Sequence, residues 1–139
     1  MLAVVALNIM VIATVVAIHY EFLYRFTELM PCIKVRHRFR IVVGVFGALA
    51  AHALEVWVFA LSYFWMHHAQ GWGLFEGNFQ GTLLDCAYFS FTTYTTLGIG
   101  DISPHGQLRY LVGLEALTGF VLITWTASFL YLEMTRYWD

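Results

Sequence analysis

Three apolar runs divide the chain: Leu2 to Ile18, reaching Tyr20 across His19; Ile41 to Met66, interrupted by His52 and Glu55; and Tyr110 to Leu132, interrupted by Glu115. A helix needs about 20 apolar residues to cross the roughly 30 Å hydrocarbon core of a bilayer, and each run has that reach. Aromatic residues gather at the ends: Tyr20, Phe22 and Tyr24, then Tyr63, Phe64 and Trp65, then Tyr131, Tyr137 and Trp138. Such clustering suits the interfacial belts of a spanning protein. The first run lacks the positively charged start of a secretory signal, so it reads as a retained membrane helix.

A fourth element breaks this pattern. After Met66, Gly71, Gly73, Gly77, Asn78 and Gly81 mark a loop. Thr82-Leu83-Leu84-Asp85 then has the form of a capping box, and a helix-compatible stretch runs from Leu83 to Tyr94. Twelve residues at about 1.5 Å each span only about 18 Å, too short to cross. With Leu83, Leu84, Cys86, Ala87, Tyr88, Phe89 and Phe91 the stretch is also too apolar for a solvated loop. It reads as a re-entrant helix. Irregular backbone at membrane depth is tolerated only where protein buries it or it lines a watery cavity.

Composition agrees with a membrane setting. The chain has 139 residues, 60% hydrophobic and only 12% charged, against about 25% charged in average soluble domains. The net charge of -2 excludes the basic footprint of nucleic-acid binding. Cys32 and Cys86 are too few for a disulfide framework and read as free thiols. No nucleophile–base constellation is visible, so no enzyme is expected. Arg25, Lys34, Arg36, Arg38 and Arg40 are five of the seven Lys/Arg, all in the 25–40 segment. The positive-inside rule places that segment in the cytoplasm, with the N-terminus outside and the C-terminus inside. The arginines at 36, 38 and 40 are two apart and precede the apolar run, unlike a charged helix face.

Chemistry concentrates in Thr96-Leu97-Gly98-Ile99-Gly100-Asp101. Rings of backbone carbonyls can replace the water shell of a potassium ion. Turning successive carbonyls one way requires alternate residues in backbone regions that glycine enters without penalty, and Gly98-x-Gly100 supplies that alternation. The preceding helix ends at Tyr94, where its dipole favours a cation. This hexapeptide, flanked by a pore helix and two spans, resembles the signature of the potassium-channel superfamily. The likeness extends from Ile41 to Trp138, in the small prokaryotic two-helix pore type, with one extra N-terminal helix.

The resemblance implies an all-α membrane protein with three transmembrane helices, a re-entrant pore helix and a selectivity filter, assembling as a homotetramer. Residues 1–24 would form the extra helix and 25–40 a basic loop. Residues 41–139 would form the pore domain: outer helix 41–66, pore helix 83–94, filter 95–101 and inner helix 108–133. Thr96, Leu97, Gly98, Ile99 and Gly100 would coordinate permeant K+, with ion sites at Thr96, Leu97, Gly98 and Ile99. Tyr88, Phe89, Thr92, Asp101 and Glu115 would support the filter, and Gly119, 18 residues after Asp101, would be the inner-helix hinge. Ile99 stands where the family most often has an aromatic residue, and Thr92 where some members carry glutamate, so lateral support is expected to be mostly apolar. A K+-selective channel subunit is the expected function; a weakly selective or non-conducting accessory subunit is the alternative.

The remaining intramembrane polar groups are few. His52 and Glu55, three apart, share a helical face and should point at protein. Glu115 is placed to hydrogen-bond the pore helix or filter. Adjacent His67 and His68 point to different faces, and no Cys/His spacing resembles a zinc site. No cofactor is expected beyond the permeant ion.

Overall fold

A computed structural model describes residues 2–32 and 37–137. Lys34 and Arg36 of the basic segment, and Trp138 of the last aromatic belt, lie outside the described residues. The elements in order are helix α1 (Leu2–Leu29), a short 3-10 turn (Met30–Cys32), α2 (His37–His68), strand β1 (Leu74–Gly77), α3 (Leu83–Tyr94), strand β2 (Ile102–His105) and α4 (Leu108–Tyr137). Three helices are long and apolar enough to cross a membrane: those spanning Leu2–Cys32, Phe39–His68 and Leu108–Arg136. The short α3 packs between α2 and α4, and α1 lies against both of those helices.

Helix α1 continues past Tyr24, so Arg25 lies in its last turns, paired with Glu21 at 2.5 Å, rather than in a loop. Its buried stripe is Val4, Asn8, Val11, Val15, His19, Leu23 and Phe26. Spacings of three and four place these on one face. Apolar Val5, Ile9, Met10 and Val16 remain exposed on the others, as lipid permits and water would not. Gly44 and Gly47 of α2 receive the Phe26 and Phe22 rings. A Cβ at Gly44 would stand 2.8 Å from Phe26 Cζ, and one at Gly47 would stand 3.0 Å from Phe22 Cζ. Small residues at such crossings let membrane helices approach closely, where dispersion rather than the hydrophobic effect holds them.

The core lies on the α2–α3–α4 side. Phe59, Tyr63, Met66, Leu108, Leu111 and Tyr94 are buried there, with Phe75 and Phe89 set on Tyr63 at ring separations of 5.5 and 5.4 Å. The segment before α3, read from its glycines as a loop, contains a strand. β1 pairs antiparallel with β2, Leu74 opposite His105 and Gly77 opposite Ile102. The partners flank α3 and the filter segment in sequence, so this pairing is a tertiary event that no local pattern announces. The ribbon ties the approach to α3 to the exit from the filter segment.

Candidate functional site

Helix α3 starts on a complete capping box. Asp85 N donates to Thr82 Oγ1 at 3.1 Å, and Thr82 N donates to Asp85 Oδ2 at 3.1 Å. Gln80 N donates to the same carboxylate oxygen at 3.0 Å. Desolvation works to raise the Asp85 pKa, but the hydrogen bonds from Thr82 and Gln80 outweigh it and hold the carboxyl below its ordinary value.

At its other end α3 turns directly into the filter segment. Thr95 N donates back to Phe91 O at 3.2 Å, Thr96 N to Thr93 O at 2.9 Å and Gly98 N to Thr92 O at 3.0 Å. Three alternate residues then lie in the left-handed region: Thr96 at φ 58°, Gly98 at 52° and Gly100 at 84°. The two glycines meet no steric penalty there, whereas a β-branched threonine at positive φ is a genuine outlier. The glycine spacing foretold two of the three positions; Thr96 has no such signal. Residues 95–100 are exposed, and the groove behind them, about 320 Å³, is bordered by Thr92, Phe89, Val112 and Ala116.

Polar contacts hold the outer end of this segment. Tyr88 OH donates to Asp101 Oδ2 at 3.1 Å, and Asn78 N donates to Asp101 O at 2.9 Å. Tyr88 thus adds one polar contact at Asp101 beside the apolar packing of Phe89. Desolvation, then the hydrogen bond and charge of Asp101, raise the Tyr88 phenol above its ordinary pKa and keep it a donor. Thr92 acts through its backbone, because its own Oγ1 is bonded to Phe89 O at 2.9 Å. Phe89 packs on Tyr63 and Phe75 at the back of α3.

Glu115 of α4 is fully buried and meets α3 rather than the 96–101 segment. Its carboxylate accepts from Tyr63 OH at 2.5 Å and from Ser90 Oγ, and Ser90 Oγ also lies 3.0 Å from Val56 O. Ser90 did not stand out in the sequence, and Tyr63, read there as part of an interfacial aromatic belt, is instead fully buried in the core. Gly119 sits one turn further along α4, which runs unbroken through it. A Cβ there would stand 2.1 Å from Tyr94 O. The structure gives this glycine a close approach to the last turn of α3.

On the far side of Tyr94, its hydroxyl donates to Glu55 Oε2, and His52 Nδ1 lies 3.0 Å from that oxygen. His52 and Glu55 thus face protein. His67 and His68 diverge, their ring planes at 82°; His67 Nδ1 accepts from Phe75 N and His68 Nδ1 lies against Phe64 O.

A family model described as ion channel matches residues 51–136, from the middle of α2 through the filter segment to the end of α4. Comparison with curated proteins and with solved structures gives no match.

Proposed function

The chain belongs to the ion channel family and is a multi-pass membrane protein, and we propose that it is one subunit of a homotetrameric, potassium-selective channel. The observation that carries this reading is the alternation of handedness at Thr96, Gly98 and Gly100 directly after the C-terminus of α3. Each reversal flips the peptide plane, so the carbonyls of Thr96, Leu97, Gly98 and Ile99 turn to one side as an ion ladder. The α3 dipole places partial negative charge at the ladder's inner mouth. Desolvating an ion is costly, and carbonyl dipoles that replace its water shell offset that cost.

One such strand per chain cannot enclose an ion. Four copies around an axis would close the ring, and the exposure of Leu97 (67%) and Ile99 (56%) supports a neighbouring subunit as their missing cover. In this assembly Tyr88–Asp101 braces the outer end of the filter, Glu115 braces the pore helix through Ser90, and Gly119 sets the distance between inner helix and filter base. The excess of basic residues over positions 25–40, where the end of α1 passes to the start of α2, supports a cytoplasmic location for that region, with the filter mouth outside.

Purified protein reconstituted in liposomes tests the reading. Expected is K+ flux well above Na+ flux. Equal fluxes would defeat the selectivity claim, and no flux at any voltage or pH would favour an accessory, non-conducting subunit.

A further inference from the structure

At the C-terminal end of α3, side chains from all four helices meet in a buried polar cluster that the proposed conduction path does not use. His19 of α1 and Glu55 of α2 are almost wholly buried, Thr126 of α4 is buried, and His52 retains 17% exposure. His19 Nδ1 lies 2.9 Å from Glu55 Oε1, and His52 Nδ1 lies 3.0 Å from Glu55 Oε2. Tyr94 OH, at the end of α3, is 3.0 Å from His52 Nδ1 and bonded to the same carboxylate. The other ring nitrogens converge too: His52 Nε2 is 3.0 Å and His19 Nε2 is 3.4 Å from Thr126 Oγ1.

The protons of this cluster can be placed in more than one way. A neutral imidazole carries one N–H. Without metal, His52 Nδ1 faces both the Glu55 carboxylate and Tyr94 OH, and Thr126 Oγ1 lies between the two Nε2 atoms. A metal ion on the two Nδ1 atoms selects one arrangement. Each ring then holds its proton on Nε2, and both N–H groups donate into the two lone pairs of Thr126 Oγ1. No proton has to leave the rings, because each Nδ1 then carries the metal. The other nitrogen of a metal-bound histidine is ordinarily held in this way.

The spacing also fits. One ligand atom from each of His19, His52 and Glu55 lies within 4.8 Å of the others. Zinc bonds of about 2.0–2.2 Å to nitrogen and oxygen put tetrahedral ligand atoms about 3.3 Å apart. Each imidazole would need to move a few tenths of an ångström off its own carboxylate oxygen, at 2.9 Å for His19 and 3.0 Å for His52, while the widest of the ligand separations, up to 4.8 Å, would need to close. Two imidazoles and one carboxylate suit zinc and its borderline neighbours rather than calcium or magnesium, which take oxygen ligands.

We propose that His19, His52 and Glu55 form a divalent transition-metal site of the zinc class, with its fourth position beside Tyr94 and with Thr126 orienting both imidazoles. The site pins the N-terminal helix to the outer helix at the point where Tyr94 ends the pore helix. It gives α1, which the two-helix pore does not require, a defined attachment.

The test reads metal, not flux, so its failure is separate from failure of the channel reading. The full chain in detergent, stripped with chelator, is titrated with Co2+ while visible absorption and bound metal per chain are followed. Zn2+ is then added as competitor. Expected is one Co2+ per chain with the intense visible bands of four-coordinate cobalt, displaced by Zn2+. These are lost in Glu55→Gln and His19→Gln and kept in His68→Ala/His105→Ala, which removes two exposed histidines. Thr126→Val should keep the stoichiometry and bind about 10–100-fold more weakly. No stoichiometric binding by the parent protein overturns the proposal and leaves the cluster a hydrogen-bonded network closed by Tyr94 and Thr126. Binding that survives both ligand substitutions overturns it as adventitious. Should either ligand variant lose its helical signal, the Thr126→Val affinity decides, and an unchanged value counts against the site.

Discussion

Between Thr95 and Asp101 the backbone changes hand at alternate residues, and each reversal places a distinct demand on its side chain. Alanine at Gly98 or Gly100 would carry a Cβ into the left-handed region at about 1–2 kcal/mol per residue. Gly98→Ala and Gly100→Ala are expected to abolish K+-over-Na+ preference in liposome flux. Gly119 is demanding for a different reason, since a Cβ would overlap Tyr94 O. Gly119→Ala should destabilise by about 1–3 kcal/mol, as overpacking does, measured as a lowered unfolding midpoint. At Tyr88 the raised phenol pKa favours the neutral, donating form in the folded protein. Its contribution is complete below the ordinary tyrosine value and lost as pH rises through the higher folded value. Filter stability should therefore fall in strong alkali for the parent protein, while Tyr88→Phe is weakened already at neutral pH and loses that alkaline step. An identical alkaline profile in the two would remove Tyr88 from the support.

At the scale of elements, α3 depends on its ends more than on its length. Twelve residues form a marginal helix in isolation, and the Thr82–Asp85 box satisfies orphan N–H groups at its start. Thr82→Ala is expected to cost about 0.5–2 kcal/mol. Asp85 adds a pH dependence of opposite sign to that of Tyr88. Its folded pKa is depressed, so its stabilisation is present above the ordinary aspartate value and lost as pH falls through the folded value. Unfolding followed between neutral and acid pH should show this loss in the parent and not in Asp85→Asn. Helix α3 was legible in full from sequence because its cap and its length are local properties. The β1–β2 ribbon was not, because its strands read as glycine-rich loop until each has the other beside it. Helix α1 showed an apolar run but no inward face; that face is defined by Gly44 and Gly47 on its neighbour.

For the whole molecule, the unresolved demand is cover for the segment from Leu97 to Ile99. Leu97 and Ile99 stand exposed beside a groove bordered by Val112 and Ala116, an arrangement that four copies around an axis would bury. Native mass measurement in a mild detergent should give four chains per particle, and a monomer at working concentration would refute the assembly. Glu115 links three helices within one chain, with Tyr63 on α2, Ser90 on α3 and itself on α4. Glu115→Leu would leave the buried Tyr63 hydroxyl short of an acceptor, at about 1–3 kcal/mol, while Ser90 keeps Val56 O. Reduced thermal stability together with altered selectivity is expected, and unchanged selectivity would confine this residue to packing.

The sequence by itself determined the membrane class, the three spans, the short capped helix and the backbone reversals at Gly98 and Gly100. These follow from run length, cap chemistry and glycine spacing, all properties of neighbouring residues. Only the tertiary structure decided what the intramembrane polar residues do. Glu115 finds Tyr63 from 52 positions away and His19 finds Glu55 from 36 positions away. Lipid cannot satisfy these groups, so each must be paired inside the protein, but a linear pattern does not say with which partner. Packing also turned Gly119 from a spacing match into a contact with Tyr94 and gave Tyr88 its bond to Asp101. The physical reason is the same in each case: burial imposes a partner, and helix crossing chooses it.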